Sequence, residues 1–176
     1  MRDLKTVIRS LPDFPKPGII FRDITTLLAD PEALCEAYDA IEKYLRTKKV
    51  NKIVAIDSRG FLLGGALADR LNIPLIPVRK KGKLPFTTIS EEYALEYGTD
   101  SLEIHTDAIT SGDSVAVLDD LLATGGTLKA TCRLIEKLGG EVAGIAVFIE
   151  LSFLKGRDRL TGYDIMALVD YDSETV

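Results

Sequence analysis

The sequence predicts an α/β fold in which a central parallel sheet is flanked by helices. Apolar runs of strand length alternate with segments of helical period along most of the chain, as in repeated β-α-β units with right-handed crossovers. Most of these runs are apolar at nearly every position, which is typical of strands buried on both faces. The 176 residues, 46% of them hydrophobic, are enough for one domain with a sizeable core.

Five apolar runs are predicted to be strands of this sheet. In chain order they are KIVAID (52–57), IPLIPV (73–78), DSVAVLD (113–119), EVAGIAVFIEL (141–151) and YDIMALV (163–169). The first four read as strands buried on both faces. Three segments with helical periodicity complete the alternation, at 31–46, 61–71 and 127–138.

The helical segments carry the features that let a helix pack on a sheet. Segment 31–46 places apolar side chains on one stripe, namely Leu34, Tyr38, Ile41 and Leu45. Segment 61–71 contains the small residues Gly64, Gly65 and Ala68, which permit close approach to a sheet. The pair Gly139-Gly140 ends the third segment.

Two segments break the alternation within what we expect to be a single domain, 1–176. Residues 1–30, called the hood here, include three prolines in 11–28 and are predicted to wrap irregularly over the domain. Residues 79–107, the lid and hairpin region, are polar and rich in turn residues. We expect them to form a lid or binding loop rather than to pack in the core.

Composition excludes several classes of protein. The net charge of −5 argues against a broad nucleic-acid-binding face, so no nucleic-acid partner is expected. No apolar run approaches the roughly 20 residues of a membrane span, and the charged start MRDLKTVIRS lacks a signal-peptide core. A cytoplasmic protein without a membrane partner is therefore predicted. Cys35, Cys132 and the single His105 offer no disulfide framework, metal-site spacing or Ser-His-Asp mechanism.

The chemistry is concentrated in residues 115–127. A buried strand is predicted to end at the acids Asp119 and Asp120, and a loop with Gly125 and Gly126 leads into a helix. Backbone N–H groups at such a loop and helix start suit a phosphate. Carboxylates beside it suit sugar hydroxyls or hydrated Mg²⁺. The pattern indicates a phosphorylated sugar, although a strand end followed by a capping turn is the simpler alternative.

This stretch, VAVLDDLLATGGT, resembles the phosphoribosyl pyrophosphate signature of the type I phosphoribosyltransferases. FPKPGIIFRDIT, DSRGFLLG, RKKGKLP and LEYGTDSLEIH resemble the adenine phosphoribosyltransferase branch, so the resemblance spans roughly residues 10–155. It implies the type I phosphoribosyltransferase fold, with a hood and a mobile lid loop. It also implies transfer of the 5-phosphoribosyl group from phosphoribosyl pyrophosphate to adenine, giving AMP and pyrophosphate in purine salvage.

The resemblance also assigns roles to residues. It implies ribose and 5′-phosphate binding by Asp119, Asp120, Ala123, Thr124, Gly125, Gly126 and Thr127. It implies pyrophosphate binding by Asp57, Ser58, Arg59, Gly60, Arg79 and Lys83. It implies adenine binding by Ile20, Phe21 and Arg22, with Phe21 stacking on the base and the backbone of the other two pairing with its edge.

The same resemblance implies the catalytic groups and the assembly. Glu96 is the candidate proton-transfer residue, Arg59 is the catalytic cation, and Tyr97 helps to close the lid. Mg²⁺ is expected as cofactor, bound mainly through substrate and water without a direct protein ligand. A homodimer is expected, with Arg79 and Lys83 acting from a neighbouring subunit.

Read without the resemblance, these residues allow plainer interpretations. Asp57-Ser58-Arg59-Gly60 is compatible with a surface turn, the cations of 79–83 with a solvated loop, and Glu96 with a solvated carboxylate. Phe21 is equally compatible with a core position in the hood. Two other functions also stay open: an enzyme acting on hypoxanthine, guanine or xanthine, and a regulator that senses a sugar phosphate.

Overall fold

The computed structural model describes residues 2–95 and 98–174. In chain order the strands and helices are β1 (Arg9–Leu11), β2 (Phe21–Asp23), α1 (Thr25–Leu28), α2 (Pro31–Thr47), β3 (Lys52–Ile56), α3 (Gly60–Leu71), β4 (Leu75–Lys80), β5 (Thr88–Leu95), β6 (Gly98–His105), β7 (Ser114–Leu122), α4 (Gly126–Lys137), β8 (Glu141–Leu151) and β9 (Ile165–Tyr171). Short 3₁₀ helices lie at Leu4–Thr6, Ser152–Leu154 and Gly156–Leu160. No helix in this described part is long and apolar enough to cross a membrane.

Seven strands form the central sheet, in the order β5-β6-β4-β3-β7-β8-β9. The five strands from β4 to β9 in this order run parallel, with Val54 of β3 opposite Val117 of β7. The β5–β6 hairpin adds two antiparallel strands at the β4 edge. The predicted α/β fold with a mostly parallel sheet is therefore confirmed.

Helix α2 shows how the local sequence fixes an element. The Asp30 side chain caps its start by accepting hydrogen bonds from the backbone N–H groups of Glu32 and Ala33, and proline fills the first helical position. The residues that it buries completely are Ala33, Ala37, Ile41 and Leu45. Ile41 and Leu45 of the predicted stripe are thus buried, but the centre of the buried face is shifted toward Ala33 and Ala37. Leu34 and Tyr38 lie at its sides and are partly buried.

Apolar side chains pack on both faces of the sheet. One cluster lies among the hood, α2, α3 and one sheet face, and contains the fully buried Phe148. The other lies among α4, the hairpin and the opposite face, and contains Leu128, Leu134 and Ile145. The sheet edge that carries the strand ends and the following loops stays available for ligands.

Two details of the sheet differ from the prediction. Strand β7 continues through both acids to Leu122, because it keeps pairing with β8 as far as Glu150. Strand β4 is not buried on both faces, since Leu75 is 37% exposed. Its partner β6 pairs with Arg79 and Lys80 at the far end of the strand, so the start of β4 lies at a sheet edge.

The lid and hairpin region contributes more to the core than we expected. Leu102 and Ile104 of β6 are buried and pack in the cluster beneath α4. Between them Glu103 is also buried, and its carboxylate accepts hydrogen bonds from the backbone N–H groups of Lys83 and Leu84. Because only alternate residues of β6 face the core, two apolar residues gave too short a pattern to recognise.

Candidate active site

A cavity of about 340 Å³ lies at the carboxyl ends of β3 and β7. Its wall consists of residues 56–59, residues 119–128 and three side chains from the hairpin side, Lys80, Tyr93 and Leu102. In a parallel sheet the strand ends and the helix starts that follow them share one edge. The two motifs singled out in the sequence, at 57–60 and 119–127, are therefore neighbours in space.

The loop between β7 and α4 is shaped for an anion. Gly125 has a φ of 79°, a left-handed conformation that favours glycine, and α4 begins at Gly126. The first turn of a helix leaves backbone N–H groups without partners inside the helix. Ala123, Thr124 and Thr127 line the same cavity, so N–H groups and two hydroxyls border one space.

Gly156 supports this loop from behind. A Cβ on Gly156 would lie 2.2 Å from the carbonyl oxygen of Ala123, and a Cβ on Gly125 would lie 2.5 Å from that of Gly156. Both contacts are shorter than real Cβ atoms tolerate. The loop between β7 and α4 thus lies directly against the backbone that follows β8, a neighbour that sequence reasoning did not identify.

The two acids of β7 create an unfavourable environment for negative charge. Burial raises the pKa of the Asp119 carboxyl well above its ordinary value, and the neighbouring Asp120 raises it further. Burial also raises the pKa of Asp120, although the Arg59 guanidinium opposes this rise. The Asp119 carboxylate accepts a hydrogen bond from the backbone N–H of Asp120 at 2.9 Å. A ligand carrying hydroxyl donors or positive charge would relieve this strain.

Arg59 connects the acids to the hood. Its Nε lies 2.9 Å from Oδ2 of Asp120. Within the described chain that oxygen is buried and accepts no hydrogen bond, so the contact is ionic and Oδ2 keeps its capacity to accept one. The guanidinium also lies 5.5 Å from the ring centroid of Phe21, whose ring meets Phe14 edge to face at 5.2 Å. Phe21 is therefore a half-buried residue of the hood that lies beside Arg59.

Arg79 and Lys83 converge on Asp57. Nε of Arg79 lies 3.0 Å and Nζ of Lys83 lies 3.4 Å from Oδ2 of Asp57, within the same chain. Burial raises the pKa of the Asp57 carboxyl, but the two cations outweigh that effect and the net shift is downward. The carboxylate therefore stays ionised and holds two cations beside the cavity.

The other predicted site residues lie at different distances from the cavity. Ser58 follows Asp57 across a cis peptide bond and lines the cavity. Gly60 starts α3, where a Cβ would lie 3.0 Å from Oδ1 of Asp119. Ile20 precedes β2 and is half-buried, whereas the side chain of Arg22 is buried. Glu96 and Tyr97 lie outside the described residues.

Two polar residues of the cavity wall, Lys80 and Tyr93, and their partner Asp100 escaped sequence reasoning. Nζ of Lys80 lies 2.8 Å from Oδ2 of Asp100, and the hydroxyl of Tyr93 donates to the same oxygen at 3.3 Å. Asp100 raises the pKa of the Lys80 ammonium, which keeps that group charged. Lys80 belongs to the cation cluster 79–83 that the sequence analysis noted. Its position in the cavity wall became visible only from the structure of β4.

The oxygen donors around the cavity fit a Mg²⁺ ion that would be bound mainly by substrate phosphate oxygens and water. Among residues 2–95 and 98–174 no three His, Cys, Asp or Glu side chains are grouped to hold a metal. The carboxylates at the cavity wall are oxygen donors, the type that Mg²⁺ prefers, yet Asp57 and Asp120 already contact cations. These donors fit an ion that is bound by phosphate oxygens and water.

Comparison with known proteins gives a family. Residues 23–166 match the phosphoribosyl transferase domain family. The chain is 56% identical over 169 residues to an adenine phosphoribosyltransferase of Desulfitobacterium hafniense, covering 96% of this chain and 98% of the relative.

Solved structures agree with this result. The crystal structure of adenine phosphoribosyltransferase from Thermoanaerobacter pseudethanolicus has a TM-score of 0.92 and 52% identity, covering 96% of this chain and 98% of that one. The Saccharomyces cerevisiae enzyme, complexed with an imino-altritol bisphosphate and adenine, has a TM-score of 0.89 and 37% identity, covering 94% and 96%. With a sheet edge, an acid pair and a phosphate loop placed as described, the chain belongs to the phosphoribosyltransferase family and to its adenine phosphoribosyltransferase branch.

Proposed function

We propose that this protein transfers the 5-phosphoribosyl group of phosphoribosyl pyrophosphate to adenine, forming AMP and pyrophosphate in purine salvage. The observation that carries the proposal is the buried Oδ2 of Asp120, which accepts no hydrogen bond within the described chain and lies at the wall of the cavity beside the phosphate loop. The Arg59 Nε lies 2.9 Å from it but is not aligned to donate a hydrogen bond, so this oxygen can still accept one from a ligand. A ribose hydroxyl would donate it when the 5′-phosphate occupies the loop.

We assign the subsites from this anchor. Asp119 and Asp120 hold the ribose hydroxyls, and residues 123–127 hold the 5′-phosphate through backbone N–H groups and hydroxyls. Asp57, Ser58 and Gly60 shape the pyrophosphate loop. Its cations are Arg59, Arg79 and Lys83, and we add Lys80 because it lines the cavity.

We place adenine against the hood. The Phe21 ring lies within reach of the Arg59 guanidinium, and therefore beside the ribose subsite. A purine stacked on this ring would present its N9 toward the ribose C1. The backbone of Ile20 and Arg22 is the part of the hood available to pair with the edge of the base. Backbone groups of this kind select a base by the pattern of donors and acceptors that they offer.

The reaction follows from these positions. The bond between ribose C1 and pyrophosphate breaks, positive charge develops at C1, and N9 of adenine forms the new bond with inversion. The cations beside Asp57 stabilise the negative charge that develops on pyrophosphate, and the acid pair lies near the developing cation. Glu96 is the proposed acceptor of the adenine proton, and Tyr97 helps the lid to exclude water. Mg²⁺, when bound, supplies charge neutralisation on the pyrophosphate oxygens.

We also propose a cytoplasmic homodimer. Leu62 of α3 is 49% exposed and Phe86, before β5, is 78% exposed, and both are large apolar side chains that a second subunit would cover. Phe86 lies a few residues after Arg79 and Lys83 in sequence, so a second subunit packed against it would bring its own Arg79 and Lys83 near the interface. Two-fold dimers are also the commonest assembly.

Sedimentation equilibrium tests the dimer: a mass of twice 19.3 kDa is expected, and a monomer contradicts it.

The experiment that tests the proposed reaction is a competition between bases. Purified protein is mixed with phosphoribosyl pyrophosphate, Mg²⁺ and equal concentrations of adenine, hypoxanthine, guanine and xanthine, and the nucleotides formed are separated. We expect AMP alone, dependent on Mg²⁺. IMP, GMP or XMP as the main product contradicts the base assignment. A folded protein that binds the sugar phosphate and forms no nucleotide contradicts the enzymatic function and favours a regulator.

A further inference from the structure

Tyr171, the last residue of β9, stacks on a buried charge of the hood. The guanidinium carbon of Arg22 lies 3.8 Å from the centroid of the Tyr171 ring. Arg22 is 4% exposed and Tyr171 is 8% exposed, so the pair is shielded from solvent. A cation over an aromatic face is attracted more strongly when both groups are desolvated. This contact therefore ties β2 to the edge strand of the central sheet.

The ring of Tyr171, rather than its hydroxyl, makes this contact. Within the described residues the hydroxyl oxygen is buried and has no hydrogen-bond partner. A hydroxyl that made a useful hydrogen bond would explain a tyrosine at this position, but none is present there. The aromatic face that carries Arg22 does explain it, and a phenylalanine would supply the same face.

The anchored strand is the one that presents the proposed base platform. Arg22 immediately follows Phe21, and successive side chains of a strand point to opposite faces. The buried side chain of Arg22 thus faces the sheet, while the Phe21 ring reaches toward Arg59 and the cavity. Arg22 also donates from Nη1 to the Ser10 hydroxyl of the paired strand β1. A displacement of the Arg22 side chain would move Phe21 with it.

We propose that Tyr171 is a positioning residue for the binding of adenine. Its ring fixes the side chain of Arg22, and Arg22 in turn fixes the position of the Phe21 ring relative to the ribose subsite. The inference rests on the proposed function, because it concerns the base subsite of that reaction. The proposed ribose and 5′-phosphate residues belong to β7, α4 and the loop between them, whereas the anchor joins β2 to β9. Tyr171 should therefore influence the binding of adenine and leave the binding of phosphoribosyl pyrophosphate unchanged.

The test compares Tyr171→Leu with Tyr171→Phe in steady-state assays of AMP formation. We expect Tyr171→Leu to raise KM for adenine about tenfold, the size that loss of one desolvated cation–π contact permits. KM for phosphoribosyl pyrophosphate should stay within about twofold of the wild-type value. Tyr171→Phe keeps the ring and loses only a hydroxyl without a partner, so both KM values should match the wild type.

A second variant covers the case in which Tyr171→Leu does not fold. Arg22→Met removes the charge but keeps the length of the side chain, and it should raise KM for adenine in the same selective way. In the double variant with Tyr171→Leu the two effects should be less than additive, because both remove one contact.

Two outcomes separate this inference from the proposed function. A wild-type protein that forms AMP, combined with variants whose KM for adenine is unchanged or whose two KM values rise equally, overturns the positioning role alone. A wild-type protein that forms no AMP overturns the proposed function and this inference together.

Discussion

Arg59 Nε lies 2.9 Å from Asp120 Oδ2, which joins the start of α3 to the end of β7 through one ion pair. The carboxylate is almost fully buried, whereas the guanidinium is 40% exposed and faces the cavity. One cation is therefore within reach of the acid pair of β7, the Phe21 ring and the proposed pyrophosphate loop at 57–60. Changes at either end of this pair should affect distinct ligands.

Removing the charge of both acids should abolish turnover without unfolding the protein. Asp119→Asn combined with Asp120→Asn is expected to lower kcat/KM for AMP formation by at least about 100-fold, the scale for losing preorganised polar groups. The folded pKa of both carboxyls is raised, so their ionisation opposes folding above the unfolded pKa of about 3.9, increasingly so as pH rises. The variant should match or exceed the wild-type Tm at pH 7.5 in calorimetry. Retained turnover would contradict the ribose assignment.

Replacing Arg59 should weaken pyrophosphate binding selectively. Arg59→Met removes a cation from the proposed pyrophosphate subsite, where charge-assisted hydrogen bonds are worth roughly tenfold to a hundredfold in affinity. Oδ2 of Asp120 accepts no hydrogen bond within the described chain and can accept a ribose hydroxyl with or without Arg59, so AMP affinity should change less than pyrophosphate affinity. Isothermal titration with magnesium pyrophosphate and with AMP measures both. Equal weakening of the two ligands is the result that argues against this role.

A methyl group on Gly156 should displace the phosphate loop. Its Cβ would meet the Ala123 carbonyl at 2.2 Å, a backbone contact that no side-chain rotation relieves. Gly156→Ala is expected to cost about 1–3 kcal/mol of stability, as overpacking does, and to raise KM for phosphoribosyl pyrophosphate. Gly65→Ala is the matched control, since a Cβ there meets nothing within 4 Å. This control should be slightly more stable than the wild type. Unchanged kinetics in Gly156→Ala would contradict the support role.

Asp23 should make the hood sensitive to acid. Hydrogen bonds from the Thr25 backbone N–H, from the Arg9 guanidinium and from the Thr25 hydroxyl lower the pKa of its carboxyl to about 2. Stability from a lowered pKa is present above the unfolded value of about 3.9 and is lost as pH falls toward 2. Asp23→Asn should therefore cost about 1–2 kcal/mol at pH 7 and progressively less below pH 4. Urea unfolding across this range measures the difference, with the exposed Asp158→Asn as control. A cost independent of pH would be inconsistent with this cause.

The proposed proton-transfer residue has its own kinetic signature. Glu96→Gln keeps the shape of the side chain but cannot accept a proton, so kcat should fall by about 100-fold while KM for both substrates changes little. The pH dependence of kcat should lose its acidic limb in this variant. An unchanged kcat returns Glu96 to the role of a solvated loop residue.

The sequence by itself determined the strands and helices, because their patterns are local, and it predicted a phosphate loop from a pattern that is equally local. Alternating apolar runs placed five strands within a few residues of their observed bounds. Two acids followed by two glycines indicated the ribose-phosphate subsite, since chain neighbours supply all of its groups. The family resemblance added the base and pyrophosphate residues. Comparison with known proteins confirmed the family, while the residue roles stay predictions.

Only the tertiary structure decided how distant segments meet. Gly156 lies more than thirty residues from Ala123 in the chain but touches it, because β8 and the turn after it return to the same sheet edge. Lys80 lines the cavity directly, whereas its β4 neighbour Arg79 points the other way along the strand and reaches the cavity wall through Asp57. Tyr171 meets Arg22 because the hood folds back over the last strand. Such contacts depend on how segments distant in sequence come together and on which way their side chains point, and no local sequence pattern specifies either.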